Sequence, residues 1–216
     1  MAHQRQTHQE EVANVISHGV GMVFGLIAIT LLLMKGVESH DPWVIGSLLV
    51  YAFCMTSSYV TSTLYHASRN AFRKQRLRRF DHAAIYLHIA GTYTPFTLIA
   101  LRQEGIWGWM LFAIVWIAAA FGVWISFRHL KRKSNLKTAC YLLMGWVVLI
   151  AFKPLIEVFQ RNDTMPILYW LIAGGVFYSV GTIFFFLDKY KYMHTGWHLF
   201  VLMGTICHFL AVYLLA

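Results

Sequence analysis

The chain's 216 residues are 58% hydrophobic and 16% aromatic but only 12% charged, against roughly a quarter charged in soluble domains. With a mean hydropathy of +0.56, this excludes the soluble globular class and points to a polytopic membrane protein. The net charge of +9 carries no nucleic-acid signature, because its lysines and arginines flank apolar runs without aromatic interleaving; no nucleic-acid partner is expected.

Residues 1–14 are polar and lack a signal-peptide pattern, so the first apolar run, about 15–34, is expected to remain in the mature protein. Glu11, Asn14 and His18 fall at i, i+3 and i+7 on its leading end, and Gly21 and Gly25 continue that face. Such a face suits close helix packing, with Glu11 or Asn14 as support for a neighbouring site. The second run, about 43–64, closes on Ser58, Ser62 and His66 along one stripe. The third, about 82–101, opens on Asp81 and continues that stripe through His88 and Thr92, which either line a cavity or make core hydrogen bonds. His82 is expected to face neighbouring helices or headgroups, and Pro95 to bend the helix.

The fourth run covers about 106–127. The fifth, 139–152, spans only if continued to about 156, with Lys153 snorkelling and a kink accommodating Pro154. Runs at about 166–187 and 194–216 complete the expected architecture: all-α, one domain over 1–216, seven transmembrane helices. No repeat suggests an inverted-repeat transporter. Cys54, Cys140 and Cys207 sit in separate spans without CxxC pairing, so they read as packing residues.

Positive charge orients the bundle. Arg69, Arg73, Lys74, Arg76, Arg78 and Arg79 follow the second run; Arg128, Lys131, Arg132, Lys133 and Lys137 follow the fourth. With Arg5, Lys189 and Lys191 they make fourteen positives on one side, against Lys35, Arg102, Lys153 and Arg161 on the other. The expectation is a cytoplasmic N-terminus and an external C-terminus.

With that topology, His66 ends one helix, Asp81 begins another, and His194 and His198 stack one turn apart at the start of the last, all at the inner-leaflet depth. An intramembrane ionisable pair is a functional hypothesis by default. Three imidazoles with a fourth position left for water form the ligand set of a catalytic zinc, with Asp81 as acceptor or general base and Ser62 placing water or a substrate oxygen. His208 lies about 15 Å beyond His198 along the helix, too far to join them. The plainer reading makes these histidines polar glue between helices.

Ser62-Thr63-Leu64-Tyr65-His66, Phe80-Asp81-His82 and the HxxxH at 194–198 resemble the three motifs of the superfamily joining progestin and adipoQ receptors, alkaline ceramidases and bacterial hemolysin III proteins. The run from Glu10 to Gly19 and Gly91-Thr92-Tyr93-Thr94-Pro95-Phe96 are similar to the hemolysin III branch, and the likeness covers essentially the whole chain. The resemblance implies zinc on His66, His194 and His198, with Asp81 and Ser62 beside the metal's water. It also implies a bacterial inner-membrane location, a membrane-lipid or fatty-acyl substrate, and a role in hydrolysis of lipid amides or esters and in membrane homeostasis. Two other classes stay open: a receptor-like or pore-forming protein with structural zinc, and a haem-bearing electron carrier using buried histidine pairs.

Overall fold

The computed structural model describes residues 6–128 and 135–216, with side chains from Thr138 onward in the second stretch. Arg5, Lys131, Arg132 and Lys133, counted above for orientation, lie outside the described residues, as does the Lys137 side chain. Among the described residues the secondary structure is helical without a strand: α1 (His8–Ser39), α2 (Pro42–Ala67), α3 (Ala71–Pro95), α4 (Trp107–Phe127), α5 (Asn135–Gly145), α6 (Phe152–Arg161), α7 (Met165–Phe186) and α8 (Met193–Leu215).

Six segments are long and apolar enough to cross a membrane: α1, α2, α4, Thr138–Arg161 taken as one, α7 and α8. α3, which the sequence reading takes as a further crossing, is not among these six: its first three turns are charged, and its apolar part is completed by a π-helical turn, Phe96–Ala100. Pro95 lacks the N–H that would serve the carbonyl of Gly91. Immediately after it the helix widens into a π turn, with Leu101 N donating to Phe96 O at 3.0 Å.

The fifth crossing breaks earlier than the sequence suggests. A 3₁₀ segment, Val147–Ala151, separates α5 from α6, while Pro154 sits inside the first turn of α6. Proline is tolerated in a first turn, but it cannot donate to the carbonyl of Ile150, so the ladder is interrupted upstream of the ring. Tyr93 holds the break: its hydroxyl donates to Gly145 O at 2.7 Å and accepts from Val148 N at 3.0 Å. Irregular backbone at membrane depth is stable where it lines a cavity and its polar groups are met.

Helix ends are set locally. Thr7 and Glu10 form a reciprocal capping box on α1, Asp41 caps α2 through Trp43 N at 2.8 Å, and Asn70 caps α3 through Arg73 N at 3.0 Å. α1 packs on α2, α2 on α3, α3 on α4, α7 on α8, and α8 returns to α1. The expected small-residue face of α1 is used this way: a Cβ on Gly21 would stand 2.2 Å from the Tyr59 ring, and one on Gly25 would stand 2.7 Å from Thr56 Oγ1. Outward faces carry large apolar side chains such as Val23, Ile27, Ile117 and Phe121, as a lipid-facing surface requires. The helices line a cavity of about 1200 Å³ that reaches the ends of α2 and α8 bearing the histidines, where Ser68, Arg69 and Asp188 join its wall.

Candidate metal centre

His66 occupies the last turn of α2, and His194 and His198 occupy the first two turns of α8. Each offers one ring nitrogen, and the three nitrogens lie within 4.8 Å of one another. The ring centroids are 5.2 Å apart for His66 and His194, 5.0 Å for His66 and His198, and 4.7 Å for His194 and His198. The convergence expected from motif spacing is thus present.

Neighbouring hydrogen bonds fix the tautomer of two of the three rings. His66 Nδ1 lies 2.8 Å from Glu11 Oε2, a carboxylate that can only accept, so Nδ1 carries the proton and Nε2 carries the lone pair. That Nε2 is buried without a hydrogen-bond partner. A buried acceptor left unmet is costly, and a cation shared with the other two rings would satisfy it. For His198, Ser17 Oγ donates to Asn14 O at 3.0 Å and therefore accepts from His198 Nδ1 at 3.1 Å, again leaving Nε2 as the lone-pair nitrogen. A donor set of three imidazole nitrogens suits zinc, whose tetrahedral shell would leave one position for water.

The first two turns of α1 hold this geometry. Glu11 also pairs with Lys74 at 2.8 Å, Asn14 Oδ1 accepts from Thr195 Oγ1 at 2.7 Å, and Glu10 Oε1 accepts from the backbone N–H of Tyr192 at 3.0 Å. Tyr192 caps α8 in the left-handed region, φ 61°, so this last contact anchors the residue from which the HxxxH helix starts. The sequence allows Glu11 and Asn14 either packing or support of a neighbouring site, and their hydrogen bonds both join helices and reach the histidine cluster.

Asp81 and Ser62 line the same cavity as the three histidines. His18 stacks on His198 with centroids 3.5 Å apart and meets Tyr59 edge-on at 5.1 Å. His88 and Thr92 satisfy both expectations for them: each lines the cavity, His88 Nδ1 bonds Ser58 Oγ at 2.9 Å, and Thr92 Oγ1 donates to His88 O. His82, expected against neighbours or headgroups, accepts at its carbonyl from Tyr141 of α5 at 3.1 Å and also lines the cavity. His208 stands apart from the triad, with Nε2 bonded to Leu171 O at 3.1 Å. Cys54, Cys140 and Cys207 are free thiols.

Sequence reasoning missed Ser17 and Lys74. Ser17 continues the Glu11 and Asn14 series at three-residue spacing, so the signal existed, but a serine in a membrane helix more commonly bonds its own backbone. Lys74 was hidden among five arginines that share its loop.

The model of the family described as Haemolysin-III related matches residues 6–209. Hemolysin-3 of Bacillus cereus is 39% identical, covering 98% of this chain and 94% of that protein. A hemolysin-3 homolog of Bacillus subtilis strain 168 is 38% identical over 95% of this chain and 94% of its own length. The human monocyte to macrophage differentiation factor is similar at 27% identity, over 97% of this chain and 85% of that protein.

Proposed function

From the premise that this chain belongs to the haemolysin-III-related family and is a multi-pass membrane protein, of the plasma membrane in bacteria, we propose that it is a zinc-dependent hydrolase of membrane-lipid amides or esters acting in lipid homeostasis. The observation that carries the reading is the unpartnered, buried Nε2 of His66, on a ring clustered with two further imidazoles in the wall of a large cavity. Zinc held there would polarise an acyl carbonyl and make water a nucleophile at neutral pH.

The chain's own groups supply the rest. Asp81 accepts the proton of the attacking water and returns it to the departing nitrogen or oxygen as the acyl C–N or C–O bond breaks, giving a carboxylic acid and an amine or alcohol. Ser62, which lines the same cavity, places the water or a substrate oxygen. Glu11 and Ser17 keep the protons of His66 and His198 on Nδ1, so the inward nitrogens stay basic. In this reading the chain is one seven-helix domain, N-terminus cytoplasmic and C-terminus outside by its loop charges, so the site lies in the inner leaflet.

The test compares detergent-purified protein with a His66→Ala, His194→Ala double variant and with Asp81→Asn, measuring metal by elemental analysis and lipid cleavage by mass spectrometry. Near-stoichiometric zinc is expected in the parent and in Asp81→Asn, and little in the double variant. Turnover is expected to fall about 10²- to 10⁴-fold in Asp81→Asn. Zinc without cleavage of any lipid amide or ester would make the metal structural, and equal trace metal in all three would remove the site.

A further inference from the structure

We propose that the cavity mouth is an anion subsite, so that the lipid processed here carries a phosphate or carboxylate on its leaving group. The inference rests on the hydrolase reading for which side of the scissile bond the anion occupies.

The cavity-facing stripe of α3 runs Gln75, Arg78, Asp81, Ile85, His88 and Thr92, at helical spacings of three and four. Arg78 therefore stands one turn outside Asp81, about 4.5 Å farther along the axis toward the aqueous face. Arg73, Arg76 and Arg79 belong to the same basic run but do not line the cavity. All six cations of this loop can serve topology; only Arg69, Lys74 and Arg78 also border the cavity.

Lys74 is neutralised by Glu11, whose other oxygen holds His66. Among the described residues no carboxylate lies within ion-pair distance of Arg69 or Arg78, including Asp81 and Asp188, which share the cavity wall. Arg78 is also half-buried. A guanidinium that is partly shielded from water and without an anion, facing a lipid-sized cavity, is a ready bidentate donor for phosphate or carboxylate.

The order along the cavity gives the substrate its polarity. Apolar walls at Ile89, Phe96, Leu111, Val148 and Leu155 suit an acyl chain; the histidines and Asp81 meet the carbonyl; Arg78 and Arg69 meet what lies beyond it. The anion thus sits on the portion released by hydrolysis, attached a few bonds from the carbonyl.

The test measures equilibrium binding to zinc-loaded protein in phosphatidylcholine nanodiscs, using two probe pairs that differ in charge. N-palmitoylglycine is set against N-palmitoylethanolamine, and 1-palmitoylglycerol 3-phosphate against 1-palmitoylglycerol. Each anionic probe is expected to bind about tenfold or more tightly than its neutral partner, with Arg78→Gln abolishing the preference, Arg78→Lys keeping part of it, and Arg76→Gln leaving it intact. A stronger preference in the first pair would assign a carboxylate head, and in the second a phosphate head. Equal binding of charged and neutral probes, or the same loss in Arg76→Gln as in Arg78→Gln, would overturn the proposal. Mass spectrometry of recovered probe separates this result from the hydrolase reading: uncleaved probe counts against hydrolysis and leaves the charge preference measurable.

Discussion

Where α1, α2 and α8 meet, side chains bond from helix to helix through charged and polar groups: Glu11 to His66 and Lys74, Ser17 to His198, Asn14 to Thr195, Glu10 to Tyr192. Across the cavity, the wall made by α5 and α6 is tied by single hydroxyls and one indole: Tyr93 at the helix break, Tyr141 to His82 O at 3.1 Å, and Trp146 to Ser179 at 3.1 Å. The first region fixes imidazole positions and protonation at the cost of mobility, as metal ligation demands. On the hydrolase reading, such a wall would yield to a bulky acyl chain, and one bundle would combine a rigid centre with an adaptable pocket.

The largest expected effect comes from breaking the rigid side at Glu11. Glu11→Gln keeps an acceptor near His66 but removes the charge that neutralises Lys74, whose ammonium then stands unneutralised beside the His66 ring. Zinc affinity is expected to fall about tenfold for Glu11→Gln and to approach a hundredfold for Glu11→Ala, the usual range for losing a group that orients a metal ligand. Competition with a chromogenic chelator reads this directly. Unchanged affinity in both variants would mean that the α1 contacts stabilise the fold and not the centre, erasing the contrast between the two walls.

The same contrast explains what was legible in advance. The clustering of His66, His194 and His198 could be read from sequence because they lie in the end turns of α2 and α8, where charge and spacing locate them in depth. The crossings could be counted because lipid demands long apolar runs. The supporting shell was harder: α1 begins at His8, two turns before its apolar run, and those polar turns carry Glu10, Glu11 and Asn14. Their roles depend on which helix comes to lie beside α1, which no local pattern states. The break after Gly145 was invisible for the opposite reason, since Trp146-Val147-Val148-Leu149-Ile150 continues an apolar run whether or not it is helical. Pro154 announced a distortion but displaced it upstream, onto the carbonyl it fails to serve.

On the adaptable side, Tyr93→Phe tests how far one hydroxyl holds the break. Gly145 O and Val148 N would both lose their side-chain partner, for a destabilisation of about 1–3 kcal/mol. Thermal unfolding in detergent should show this, and amide exchange should accelerate at residues 145–151 before it does in α1 or α8. Uniform acceleration across all helices would mean that the break is coupled to the metal end and that the two walls do not behave separately.

The smallest effect is expected at Trp146, whose indole N–H reaches Ser179 on α7 from a position that is itself 42% exposed. Trp146→Phe keeps an aromatic ring and removes one partly exposed hydrogen bond, so stability should change by no more than about 1 kcal/mol. Its consequence should be kinetic: with the α5 to α7 tie loosened, a spin-labelled fatty acid should enter and leave the cavity faster, while zinc content stays at the parental level. Zinc loss in this variant would show that the wall also props the histidines, and the separation between rigid centre and yielding pocket would have to be redrawn along α7.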